Sequence, residues 1–245
     1  MESITGSFTV ALGLLLSGDP ALLEIVLRSL AVSASACFLG SVLGLCCGAW
    51  LAVARFRGRE VLLTLLNTLL ALPSVVVGLL VYLLLSRSGP LGFLGWLFSF
   101  NAMVLAQTIL VLPVVTALTR QLIADADHQH GEQLQSLGAG AGLRALLLLW
   151  DERYALLTVL VLAFGRAISE VGAVMIVGGN VEGFTRVMTT AIALETSKGD
   201  LPLALALGLI LLTLVLLLNT ATTMLRRWRE RVDGAVLPVT VAGVV

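Results

Sequence analysis

Five long apolar stretches alternate with short polar breaks along the chain. Ser29 to Ala54 carries no charge; Val61 to Ser86, Phe98 to Thr119, Tyr154 to about Val177, and Leu201 to Leu225 follow. Each is long enough as a helix to cross a hydrocarbon core about 30 Å thick, so the pattern predicts an all-α integral membrane protein with five spans. Span one begins before its charge-free part. Pro20 followed by ALLEIVLRSL reads as a helix start with Asp19 as its cap, giving a helix of more than 30 residues. Glu24 and Arg28, four apart, are placed to pair at headgroup level. Pro73 falls within span two and Pro113 near the inner end of span three, and each predicts a bend. Gly178-Gly179-Asn180 turns the chain after span four. The semi-polar segment from Val181 to Asp200 holds an apolar piece too short to span, which fits a short outer helix or a partial re-entry. Gly78, Gly165 and Gly172 suit close approach of helices.

Outside the spans, residues 1–21 are mixed. The apolar patch from Phe8 to Leu16 is too short to cross and reads as an interfacial, extracytoplasmic segment. It has no basic region ahead of it, which predicts no cleaved signal. The transmembrane domain is expected over 22–228, with a cytoplasmic tail over 229–245. The largest polar interruption runs from Arg120 to Arg153. Ala124 to Leu137 has few helix breakers, Gly138, Gly140 and Gly142 make a turn, and Leu143 to Trp150 is apolar again. This reads as helix, turn and second short helix lying under the membrane.

Basic residues set the orientation. Arg55, Arg57, Arg59, Arg120, Arg144, Arg153, Arg226, Arg227, Arg229 and Arg231 fall on one side, against Arg28, Arg87, Arg186 and Lys198 on the other. The positive-inside rule puts the N-terminus outside, and the polar island and tail in the cytoplasm. Composition agrees: 58% of residues are hydrophobic and 12% charged, with mean hydropathy +1.04, against about 25% charged in soluble domains. The net charge of zero says nothing about partners, and nothing suggests nucleic acid. Cys37, Cys46 and Cys47 lie in an apolar run and suit packing better than a disulfide or metal role. His128 and His130 read as solvated, with no third ligand nearby.

Two charges stand inside span four. Arg166 and Glu170, four apart, share a face of a continuous helix and are expected either to neutralise each other as a structural pair or to face a water-filled path. No Walker-type glycine loop occurs, and the only lysine is Lys198, so the chain cannot hydrolyse ATP in the P-loop manner. No nucleophile–base set or metal cluster lies in the spans, which excludes an intramembrane enzyme. A secondary transporter would show internal repeats and carboxylates at mid-membrane, and Glu170 stands alone. One copy of five spans encloses little volume, so a two-fold homodimer is the expected assembly.

Two stretches resemble a known family. Glu132-Gln133-Leu134-Gln135-Ser136-Leu137-Gly138-Ala139 resembles the loop motif of bacterial ABC-transporter permeases: Glu-Ala-Ala, three residues, Gly, nine residues, Ile-x-Leu-Pro. Glu132 and Gly138 fall on the Glu and Gly, and Leu148 takes the Ile position. Gln133 and Leu134 replace the alanines, and Trp150 and Asp151 replace Leu and Pro. Phe164 to Ala173, continuing through Gly178-Gly179-Asn180, resembles the branch of these permeases that serves molybdate, sulfate and tungstate. Thr185 to Asp200 is similar to its tungstate-type members.

The resemblance covers 22–228. It implies a MetI-like five-span importer bundle with a cytoplasmic coupling helix that inserts into a cleft of an ATPase, with Glu132, Gly138, Ala139 and Leu148 at the docking loop. It also implies a non-catalytic subunit in the plasma (inner) membrane. Its partners would be a cytoplasmic ABC ATPase, an extracytoplasmic solute-binding protein, a second permease copy and lipid. No cofactor is expected on this chain, ATP and Mg being used by the ATPase. The implied cargo is an oxyanion, tungstate first, with molybdate or sulfate as alternatives.

Overall fold

A computed structural model describes Gly13 and residues 19–235, with side chains as far as Met224. The Phe8–Leu16 patch, apart from Gly13, and the tail beyond Ala235 lie outside the described residues. Among the described residues every regular element is helical. Helix α1 (Pro20–Val53) starts as its sequence indicates: Pro20 opens it, and the Asp19 carboxylate accepts from the Ala21 N–H at 2.8 Å. Arg28 pairs with Glu24 and also donates to the Gly183 carbonyl at 2.8 Å, tying α1 to a distant loop.

The second apolar stretch is broken where a bend was expected. Helices α2 (Arg59–Leu70) and α3 (Ser74–Leu85) meet at 100°. Pro73 sits in the break in extended conformation, φ −63° and ψ 129°. It has no N–H to give to the preceding turn, and its ring pushes Leu72 out of the helical region. Each half has 12 residues, about 18 Å at the helical rise, short of a full crossing.

The third stretch is longer than expected. Helix α4 (Phe100–Ser136) has 37 residues and reaches about 55 Å. It carries Pro113, buried, within it, and runs past Thr119 without stopping. The first arm of the polar island is therefore the continuation of span three, not a separate helix under the membrane. The physical reason is plain in the residues: from Arg120 to Ser136 there is no proline and only Gly131 to weaken the helix.

Helix α5 (Ala141–Asp151) is the second arm. Helices α6 (Arg153–Ile168) and α7 (Gly172–Gly178) divide the fourth stretch at a 57° bend. Helix α8 (Met188–Lys198) supplies the short helix of the semi-polar segment, and α9 (Leu201–Ala235) closes the chain. Among the described residues three helices are long and apolar enough to cross a membrane, α1, α4 and Leu201–Met224 of α9; the count reaches five if each bent pair is one crossing.

The tightest packing joins α1 to α4. Gly40, Gly44 and Gly48 line one face of α1 at intervals of four, against Val111, Val115 and Thr116. A Cβ at Gly44 would lie 2.8 Å from Val115, and one at Gly48 would lie 2.7 Å from the Thr116 carbonyl oxygen. Of the glycines singled out from sequence, Gly78 abuts Ala173 and Gly172 abuts Ser74 and Val75, whereas Gly165 faces open space. Cys37 is buried in this packing; Cys46 and Cys47 are exposed.

Candidate functional site: a helical hairpin and two helix breaks

The end of α4 and α5 form a hairpin around Gly138, whose φ is +83°. The Gly138 N–H donates to the Gln135 carbonyl at 2.9 Å and the Ala139 N–H to the Leu134 carbonyl at 3.0 Å. That pair of bonds is the Schellman closure, which needs a left-handed residue at its centre and favours glycine there. Ala139 thus contributes its backbone to the turn.

The hairpin sorts its residues by face. Arg144 and Leu148, one turn apart on α5, point inward. Leu148 is 2% exposed and packs with Ala49, Val53, Ile123 and Ala126. Leu148, expected at a docking surface, is a core residue that fixes α5 to α1 and α4. The buried Arg144 lies 2.8 Å from Asp127 on α4. Leu143, Leu146 and Trp150 point outward, Trp150 at 72% exposure. The apolar residues of α5 are therefore divided between a buried face and an uncovered one. Glu132 is exposed on α4, as are His128 and His130. Arg153 donates to the Trp150 carbonyl at 2.8 Å and lies over the rings of Trp150 and Tyr154.

The breaks in the second and fourth stretches come together where Gly172 meets Ser74 and Val75. Here the expected pair is not made. Helix α6 ends at Ile168, so Glu170 lies in the break, and among the described residues no ion pair joins it to Arg166. Ser169 contributes to the stop: its hydroxyl donates back to the Gly165 and Arg166 carbonyls at 2.8 and 3.1 Å. The Glu170 carboxylate turns forward instead and accepts from the Ala173 N–H at 3.2 Å, at the start of α7. Arg166 is exposed.

Several positioning residues carry no signal of periodicity or spacing. Gln107, buried on α4, donates to the Ala167 carbonyl at 2.9 Å beside the second break. Ser29 accepts from the Met188 N–H at 2.6 Å, seating α8 on α1. The turn at Gly178-Gly179-Asn180 uses φ values of +69° and +51° at its last two residues, and Thr185 bridges it to the Gly178 carbonyl. Glu195 is buried between Lys198 at 2.9 Å and Arg186 at 4.0 Å.

The family described as binding-protein-dependent transport system inner membrane component matches residues 40–231, which hold the hairpin and both breaks. The chain belongs to this permease family. A tungstate uptake system permease protein TupB of Peptoclostridium acidaminophilum is 40% identical over 219 residues, 89% of this chain and 96% of the relative. A probable anion ABC transporter permease protein of Haloferax volcanii is 42% identical over 218 residues, 87% of this chain and 93% of the relative. The sulfate transport system permease protein CysW of Escherichia coli K12 is 34% identical over 177 residues, 68% of this chain and 60% of the relative. The permease, helical among its described residues, is thus a multi-pass inner-membrane transport component, of a kind that works with an ATPase and a solute-binding protein and is not itself catalytic.

Proposed function

We propose that this permease carries an oxyanion inward as the membrane subunit of an ATP-driven importer, and that the oxyanion is tungstate. One observation carries the reading: the 40% identity to a tungstate uptake permease spans nearly the whole of both chains. Sulfate is the second reading, supported by 34% identity to a sulfate permease over a shorter stretch.

In this scheme each bent helix pair makes one crossing, giving five, with the N-terminus outside and the hairpin in the cytoplasm. The uncovered face of α5, with Leu143, Leu146 and Trp150, docks in a cleft of the ATPase, which supplies ATP and Mg chemistry. A binding protein delivers the anion from outside, and two permease copies enclose the path. Arg166, exposed beside the second break, is a candidate for the path wall.

The deciding experiment is uptake by proteoliposomes holding the permease, its ATPase and its binding protein, with tungstate, molybdate and sulfate in competition. Tungstate uptake that needs ATP supports the reading. Preference for sulfate selects the alternative, and uptake driven by an ion gradient without the ATPase would replace both with a secondary transporter. Reporters fused after Arg231 and near Lys198 test orientation; both on one side would end the five-crossing scheme.

A further inference from the structure

A cavity of about 320 Å³ lies between α2 and α4 and is not part of the hairpin or the breaks. Glu60, Thr64 and Asn67 line its α2 wall, and Arg120 and Gln121 its α4 wall. The three α2 positions follow at intervals of four and three, so they form one polar stripe on a helix whose other residues, apart from Arg59 and Thr68, are apolar. Arg120 stands beside Gly48, where a Cβ would come 3.1 Å from its backbone nitrogen, which sets it within the last two turns of α1. The stripe therefore lies at the inner end of the apolar region.

What distinguishes this wall is its unused donors. The Thr64 hydroxyl gives its hydrogen to the Glu60 carbonyl at 2.9 Å. Among the described residues, the Arg120 guanidinium makes no hydrogen bond or ion pair, and the side-chain amides of Asn67 and Gln121 make no hydrogen bond. Unpaired donors of this kind are costly against lipid and normally face a water-filled path or a ligand. The lone acid of the set, Glu60, is 87% exposed in its side chain and within 3.5 Å of the Arg59 guanidinium, so its charge is turned outward and offset. Glu60 also borders a larger cavity of about 600 Å³, where Arg55, Arg59 and His128 stand with Asp127 and Glu132. The smaller cavity thus adjoins a wider vestibule on the side the arginine bias assigns to the cytoplasm.

We propose that this cavity is a transit site for the oxyanion on the inner half of the path, held by Arg120 with Asn67 and Gln121 as neutral donors. The inference rests on the oxyanion-importer reading above. A tetrahedral dianion presents four oxygens that only accept hydrogen bonds. One planar guanidinium grips two of them, and the amides serve the others. A single full positive charge suits transit, because a site on a path must bind enough to admit the ion and weakly enough to release it.

The test uses the assembled permease, ATPase and binding protein in proteoliposomes, with tungstate or molybdate as probe. Arg120→Gln and Asn67→Leu are expected to lower the maximal uptake rate by about tenfold or more. The half-saturating concentration, set by the binding protein, stays unchanged, and stimulation of ATP hydrolysis by the loaded binding protein persists. Arg120→Lys keeps the charge but loses the fork, and is not expected to restore uptake.

Full uptake in Asn67→Leu, or full rescue by Arg120→Lys, would overturn the site and leave Arg120 as a membrane-surface anchor. Loss of stimulated ATP hydrolysis together with uptake in both Arg120→Gln and Asn67→Leu would assign these residues to assembly, which also overturns it. Asn67, exposed and without side-chain partners among the described residues, keeps the test open if Arg120→Gln does not fold. An unaltered complex that moves none of tungstate, molybdate or sulfate fails the parent reading instead.

Discussion

Arg144 on α5 lies 2.8 Å from Asp127 on α4, closing the hairpin across its glycine turn. Their side chains are only 8% and 19% exposed, so the pair is largely withdrawn from water. The facing atoms, Arg144 Nε and Asp127 Oδ1, are not aligned as a hydrogen bond, so the contact is chiefly charge against charge. Leu148 packs one turn farther along the same face. Together they decide which side of α5 is turned away from the bundle.

Breaking this pair should loosen α5 alone. Arg144→Ala leaves Asp127 without its partner in a semi-buried setting, at a local cost of up to about 3 kcal/mol. Hydrogen exchange of the 141–151 amides should speed up in the solubilised protein while exchange in α1 is unchanged. The exchanged pair, Asp127→Arg with Arg144→Asp, should recover part of the protection. Unchanged exchange in Arg144→Ala would show that Leu148 holds α5 without help.

The glycine stripe supports a second prediction. At Gly48 a Cβ would already lie 2.7 Å from the Thr116 carbonyl oxygen and 2.8 Å from the Thr119 Cβ, and valine adds two methyl groups there. Alanine at Gly44 adds only a Cβ, 2.8 Å from the Val115 Cβ. Gly48→Val should therefore destabilise more than Gly44→Ala, with overpacking costs of about 1–3 kcal/mol or more. Thermal aggregation of the detergent-solubilised protein would rank them. Equal midpoints for both variants would mean that α1 and α4 separate easily.

Arg166 and Glu170 should behave as independent residues. Glu170→Gln keeps an acceptor for the Ala173 N–H but removes the negative charge at the start of α7, at a cost of about 0.3–1 kcal/mol, whereas Arg166→Ala, at an exposed position, should leave expression near that of the parent. The effects should add in the double variant. A strong recovery of expression in Arg166→Ala with Glu170→Ala would mean that the two pair in the assembled complex.

These outcomes bear on what the sequence could reveal. Length and polarity placed the apolar stretches, the arginine bias grouped the loops, and the residues from Pro20 and Asp19 predicted the start of α1. Gly138 was legible because one helix had to end there. The breaks were legible only in part: Pro73 announced a bend, but its 100° size depends on α3 packing against α7. The stop before Glu170 turns on Ser169 bonding back to carbonyls of its own helix, which the i,i+4 spacing of Arg166 and Glu170 conceals. Arg144 counted as one more loop charge because Asp127 lies 17 residues away across a turn. Leu148 matched the loop motif by position while its direction depended on the fold of the hairpin.

The coupling role proposed for the hairpin can be tested sharply because the two faces of α5 differ. Gly138→Val puts a β-branched residue at φ +83°, a conformation that costs about 1–2 kcal/mol or more for any side chain, and it strains the two bonds that close the turn. Leu148→Ala empties a core position, with losses of about 2–5 kcal/mol. Both should detach α5 and be visible in the permease alone as faster exchange at 141–151. Trp150→Asp acts differently: at 72% exposure the ring contributes little to the hairpin's own packing, so exchange in the isolated permease should be unchanged. If the uncovered face enters the ATPase cleft, Trp150→Asp should nevertheless lose the ATPase in a pull-down and abolish stimulation of ATP hydrolysis by the loaded binding protein. Glu132→Lys, exposed on the other arm, should weaken the same association if the cleft is basic. Normal retention and full stimulation in Trp150→Asp and Gly138→Val would show that the hairpin does not couple the ATPase to the membrane helices.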